Sequence, residues 1–200
     1  VDDSVQRTLS RADPTLGKAM RLLGPCTLKR GRGSPYEALL SAIVHQQIHG
    51  NAASAILGRF RALHGGAYPT PEQLLALSGE TLRGCGLSSS KQAAMRDVAA
   101  KVLDGTIGDR RALQRLTDEV IIERLVSVRG VGRWTAQMFL IFCLGRPDVF
   151  APDDFGIKSA IQKLYELPDL PKRAEAEEIA APWRPYSTVA SWYLWRSLEL

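Results

Sequence analysis

Two hundred residues carry 26 Lys and Arg against 21 Asp and Glu, a formal net charge of +5, with enough hydrophobic side chains for a sizeable core. That length suits one compact unit, large enough for two lobes, and the mild positive balance suits a polyanionic partner without demanding one. No apolar run is long enough for a membrane span, and the N-terminal residues are polar and acidic rather than leader-like. Cys26, Cys85 and Cys143 are odd in number and scattered, so three reduced thiols are expected, and a four-cysteine iron–sulfur cluster is excluded.

Taken in chain order, the periodicity is helical nearly everywhere. Ser34-Pro-Tyr-Glu37 is a capping box with proline at the first helical position, and Leu39, Leu40, Ile43 and Val44 follow as a buried stripe. This helix is expected to end near Gly50. Its polar tip, Gln46-Gln47-Ile48-His49, reads by itself as a frayed helix end with solvated amides, and His45 as a core or capping histidine. Asn51 can cap the next helix, whose Ala52, Ala53, Ile56, Leu57, Phe60 and Leu63 would face inward until His64-Gly-Gly66 stops it. Thr70-Pro-Glu-Gln73 repeats the box-plus-proline pattern. Gly84-Cys-Gly86 reads as a plain turn, although Ser89 or Lys91 beyond it could touch a phosphate. Ser88 to Ser90 can cap a helix running to Leu103, and Asp109 can start a short one through Leu116. No segment has the alternation of a strand, so the fold class expected is all-α.

The next segment carries more information. Thr117-Asp-Glu119 opens a helix with a hydroxyl cap and two acids at the positive end of the dipole, and Val120, Ile121, Leu125 and Val128 form its stripe. Gly130-Val-Gly132 must break it, because two glycines one residue apart permit positive φ and leave backbone N–H groups unshielded. A second helix starts at once near Arg133 or Trp134, and free N–H groups at a helix start favour an anion. Arg129 and Arg133 flank the turn, so a phosphate there would meet amides and guanidinium donors together. Standing alone, such a glycine pair is more often a tight turn between packed helices. Met138 to Leu144 is apolar on all sides and is expected to be a buried central helix. Pro152-Asp-Asp154 before Phe155 to Tyr165 reads as a further helix start, where capping would explain one of the two acids.

Leu125-x-x-Val128-x-Gly130-Val131-Gly132-Arg133-x-Thr135-Ala136 resembles the helix-hairpin-helix motif, which grips DNA backbone without reading sequence. Downstream, Pro152-Asp-Asp154 stands where the DNA glycosylases built on that motif carry their catalytic aspartate. Ala42-Ile-Val-His-Gln-Gln-Ile-His-Gly-Asn-Ala-Ala53 resembles the helix that inserts into the duplex in the alkylbase branch, and Pro182-Trp-Arg-Pro-Tyr186 with Trp192 resembles that branch's C-terminal helix. The chain thus resembles the 3-methyladenine DNA glycosylase II branch over roughly residues 15 to 198.

The resemblance implies a single glycosylase domain over 1–200 with two helical lobes and the active cleft between them. One lobe would span about 35–115 and the other about 1–34 plus 116–200, with the hairpin at 117–145; the N-terminal β domain of many relatives is not expected. It implies Asp154 as the catalytic carboxylate, with Asp153 as cap or support, and Trp134, Met138 and Trp192 as the base pocket. Gln47 would be the wedge that fills the gap left by the extruded base, with Ile48 and His49 at the minor groove. Arg129, Gly130, Val131, Gly132, Arg133 and Thr135 would hold the DNA backbone. Where bifunctional members carry a Schiff-base lysine this chain has Trp134, so a monofunctional enzyme is expected that leaves an abasic site and needs no metal or cofactor. Its partner would be double-stranded DNA containing damaged bases, and the protein a monomer away from membranes, cytoplasmic and nucleoid-associated if bacterial, nuclear if eukaryotic. Met138 departs from a tyrosine of the family, which leaves the lesion range open. Two alternatives stand beside this reading: a sister enzyme for uracil, oxidised or mismatched bases, and a docking module without catalysis, against which Pro152-Asp-Asp154 argues.

Overall fold

The computed structural model describes residues 2–29, 31 and 33–200, and no residue among these is in a strand. Among the described residues, thirteen α-helices follow one another: α1 Asp3–Ala12, α2 Pro14–Leu23, α3 Pro35–His45, α4 Gly50–Ala62, α5 Pro71–Ala76, α6 Gly79–Gly84, α7 Ser89–Leu103, α8 Arg110–Gln114, α9 Asp118–Val126, α10 Arg133–Met138, α11 Phe155–Leu164, α12 Arg173–Ala180 and α13 Ser187–Ser197. A π-helical stretch, Phe139–Leu144, continues α10, and a 3-10 turn, Ala181–Trp183, links α12 to α13. No helix is long and apolar enough to cross a membrane among the described residues, and Cys26, Cys85 and Cys143 are buried free thiols.

Local chemistry sets most helix starts. Ser34 and Thr70 form complete capping boxes with Glu37 and Gln73, each with proline at the first turn. Ser88, Asp109 and Thr117 cap α7, α8 and α9 through their side-chain oxygens, each satisfying a backbone N–H that the helix cannot. Four helices, α4, α10, α12 and α13, start without a side-chain cap, and the first of these departs most from expectation. α3 ends at His45, and α4 begins at Gly50 with His49 at the N-cap and no side-chain cap, so Asn51 does not start it. Between them Gln46 leaves the helical region at ψ 128°, and Gln47 adopts φ 58°, a left-handed conformation that redirects the chain. Only Ala53 and Phe60 of the α4 stripe are buried; Ala52 and Leu63 are exposed, because one side of this helix has little to pack against.

The chain divides into two units, Val1–Arg30 with Leu140–Leu200, and Gly31–Phe139. The hairpin of α9 and α10 therefore lies with the middle of the chain, whereas it was expected to belong with the two ends. The physical reason is visible at α7, which packs against α3, α5 and α6. Its Ala94, Met95, Val98 and Ala99 are buried, and its Asp97 Oδ2 accepts the backbone N–H of Arg129 at 2.6 Å, fastening the hairpin to it. Partial burial raises the Asp97 carboxyl, but hydrogen bonds from Lys101 and from Arg129 N–H outweigh it and hold the group below its ordinary value.

In the other unit, α2 packs on α1 and α13, and α11 on α13 and α2. A buried carboxylate pins these elements. Asp13 caps α2 by accepting from Leu16 N–H at 3.0 Å through Oδ1, while its Oδ2 accepts from Trp183 Nε1 at 2.8 Å and from the hydroxyl of Tyr165. Burial, reinforced by the neighbouring Asp13, pushes the Tyr165 phenol well above its ordinary range. Trp183 is fully buried, so its indole N–H has no water to turn to. Asp13→Ala would strand both donors in the core and is expected to cost about 2–4 kcal/mol of stability, read as a lower urea midpoint at unchanged m-value.

Candidate active site and DNA interface

Two sets of residues named from the sequence are assembled by the fold, one in each unit. In the middle unit, the α3–α4 turn and the hairpin enclose a pocket of about 500 Å³. Trp134, Thr135 and Met138 line it from α10, with Gly130 from the hairpin turn, and His45, Gln46 and Gln47 line it from the end of α3. Trp134 is 47% exposed, too open for a core tryptophan and suited to present its ring face to a ligand. His45 Nδ1 lies 2.8 Å from the carbonyl of Ser41; a carbonyl only accepts, so Nδ1 donates in this contact.

The hairpin turn uses its glycines differently. Gly130 takes φ 75°, which L side chains disfavour. Gly132 has φ −93° and caps α10 without a side-chain hydrogen bond, and a Cβ added there would meet nothing within 4 Å. Its lack of a side chain therefore serves access to the backbone. Val131 is buried and Thr135 nearly so, so both anchor the turn from below. Arg133 Nη2 pairs with Glu119 Oε1 at 2.6 Å, which holds the guanidinium beside the first turn of α10. Arg129 is exposed.

The α3–α4 turn was read as a wedge. Gln47 and His49 are exposed and Ile48 half-buried, and the φ of Gln47 presents its side chain from a strained backbone. Its neighbour Gln46 was not singled out beforehand, yet it makes the tertiary contacts: Nε2 donates to the Gly130 carbonyl at 3.0 Å and to Thr135 Oγ1 at 3.5 Å. Lys91, a candidate phosphate contact, instead donates from Nζ to the carbonyls of Val44 at 2.5 Å and Gln46 at 3.0 Å. Gly84-Cys-Gly86 is the plain turn expected, with Gly86 at φ 94°.

In the other unit, Asp154 itself caps α11: its Oδ1 accepts Ile157 N–H at 2.7 Å. Asp153, expected as cap or support, is not the cap of α11; it is exposed and pairs with Arg173 at 2.9 Å. Asp154 Oδ1 also accepts from Trp195 Nε1 at 2.9 Å. Trp195 had escaped notice, one helical turn beyond the expected Trp192. Trp192 is half-buried, packs edge-on against Tyr193 at 4.9 Å and lies under the Arg196 guanidinium. Phe142, the one exposed member of the otherwise buried π-helical stretch, stacks on Trp195 at 5.8 Å. Gly156 is closely packed here, since a Cβ would sit 3.1 Å from Trp195 Cδ1 and 3.2 Å from Asp154 Oδ1, tight enough that a neighbour would have to shift. No group of side chains suited to a metal ion occurs among the described residues.

Known proteins resemble the chain on both sequence and structure. DNA-3-methyladenine glycosylase 1 of Schizosaccharomyces pombe is 37% identical over 198 residues, covering 96% of this chain and 86% of that protein. The alkylbase DNA glycosidase-like protein of the same yeast is 32% identical, covering 98% and 93%. Among solved structures, the S. pombe 3-methyladenine DNA glycosylase in complex with abasic DNA superimposes with a TM-score of 0.88 at 34% identity, over 98% of this chain and 97% of that one. A Bacillus halodurans DNA-3-methyladenine glycosidase gives 0.87 at 36% identity, over 95% and 87%. Residues 40–185 match the HhH-GPD superfamily of base excision DNA repair proteins, and the chain belongs to that family.

Proposed function

We propose that this protein is a monofunctional DNA glycosylase of base excision repair, which extrudes alkylated, cationic bases such as 3-methyladenine and 7-methylguanine from duplex DNA and hydrolyses their N-glycosidic bonds. The observation that carries the reading is the setting of Asp154, a buried carboxylate whose Oδ1 is fixed by both Ile157 N–H and Trp195 Nε1–H. A carboxylate held without rotational freedom is prepared to stabilise positive charge that develops on the sugar. The C1′–N bond breaks, its electron pair leaves with the base and neutralises it, and water adds to the oxocarbenium-like C1′, losing a proton for which Asp154 is the acceptor. The product is an abasic site.

Trp134 and Met138 contact the extruded base. The indole face attracts the positive charge that alkylation confers, worth about 0.5–2 kcal/mol depending on desolvation. The same charge makes the lesion a better leaving group, so a permissive pocket still discriminates. Gln47 fills the space vacated in the duplex, and Gly130, Gly132 and the flanking arginines hold the backbone, a contact that is salt-sensitive and nearly blind to sequence. Trp134 carries no amine, so no imine to C1′ forms and the strand stays intact.

Wild-type protein is expected to release 3-methyladenine and 7-methylguanine from methylated duplex, leaving strand breaks only after alkaline treatment. Asp154→Asn keeps the cap, because asparagine caps as well as aspartate, and should lose a factor of about 10²–10⁴ in single-turnover rate while duplex binding persists. A wild-type protein that leaves every methylated duplex untouched would sink the enzyme reading. Gln47→Gly relieves the left-handed strain and should leave thermal stability unchanged or raise it by up to about 1 kcal/mol, yet slow base release from paired sites; a parallel loss of stability and rate would contradict the wedge assignment.

A further inference from the structure

The α3–α4 turn and the hairpin are tied to each other and to one helix. Gln46 at the C-cap of α3 reaches across to the Gly130 carbonyl. Lys91, on the first turn of α7, covers two carbonyls that the end of α3 leaves without helical partners, those of Val44 and Gln46. Asp97, farther along α7, holds Arg129 N–H beside the hairpin glycines. We propose that Lys91 and Gln46 are positioning residues that set the distance and angle between the Gln47 wedge and the phosphate-holding hairpin, making the backbone grip and the opening of the duplex one mechanical unit.

The chemistry of the contacts supports this role. A left-handed Gln47 persists only where its surroundings over-determine it, and the residue on its N-terminal side is bonded at both its side chain and its carbonyl. Desolvation lowers the Lys91 ammonium from its ordinary value, a cost that a solvated lysine at a DNA surface would not carry. The ammonium is spent on the α3 carbonyls, where it also faces the negative end of that helix dipole. Neither residue touches the reacting atoms in this scheme; both act through the placement of Gln47.

The inference rests on the glycosylase reading, and its test separates the two. Single-turnover release of 7-methylguanine is measured from a duplex where it pairs with cytosine and from one where it faces a synthetic abasic residue, since an unpaired base costs little to extrude. Lys91→Met, which keeps the stem and removes the donors, should slow the paired duplex on the order of ten- to a hundredfold, as a misplacement of about 1 Å does. The unpaired duplex should stay within about twofold, because its base is already free to leave. Lys91→Arg, which can donate to both carbonyls, should restore the paired rate. Equal slowing on both duplexes, or none on either, overturns the positioning role. Absence of release by the wild type from either duplex overturns the glycosylase reading instead.

Discussion

The hydrogen bond from Ile157 N–H to Asp154 Oδ1 binds the fold and the chemistry together. As a cap it starts α11, the helix that packs on α2 and α13; as an orienting contact it fixes the carboxylate to which we assign the reaction. A cap places its acceptor at the positive end of a helix dipole, where negative charge is favoured, so one residue meets a structural and a catalytic demand without conflict. The close approach of Trp195 makes Gly156 a tight position, where a Cβ would press on both the indole and the carboxylate.

The middle unit meets a different constraint. A residue that enters a base stack must stand clear of the protein surface, yet be held firmly enough to displace a base rather than fold back. In the proposed wedge role, exposure and strain at Gln47 meet the first need, and the bonds made by Gln46 and Lys91 meet the second. Strain of order 1–2 kcal/mol at a left-handed, non-glycine residue is modest against the several hydrogen bonds that surround it. α7 carries this arrangement because its small buried residues, Ala94 and Ala99, let it lie close to its neighbours while Lys91 and Asp97 project to either loop.

Features governed by local chemistry were legible in the sequence: capping boxes at Ser34 and Thr70, the cap at Thr117, and the break at Gly130 each depend on residues within a few positions. The all-helical class and the family followed from motifs in order. Less legible was whatever tertiary packing decides. Trp192 and Trp195 are one helical turn apart, and only the face that α13 turns toward α11 determines which indole reaches Asp154. Asp153 and Asp154 differ by a single residue, and the start of α11 makes the second one the cap. Gln46 and Gln47 are adjacent and chemically identical, so the sequence offers no signal that one anchors while the other projects. The outward face of α4 was overread, because apolar spacing alone does not state that a partner is present. The hairpin's place with the middle unit rests on the Asp97 contact to a backbone N–H, which no side-chain pattern announces.

The ion pair of Arg133 with Glu119 adds a last step. Both side chains are substantially exposed, at 44% and 64%, and such pairs contribute about 0–1 kcal/mol. A phosphate arriving at the first turn of α10 replaces one anion by another, so redirecting the guanidinium costs little. Binding of this kind carries no information about bases. In the proposed reaction, discrimination then resides in the later steps, in how readily a base leaves the stack and how well its charge suits Trp134.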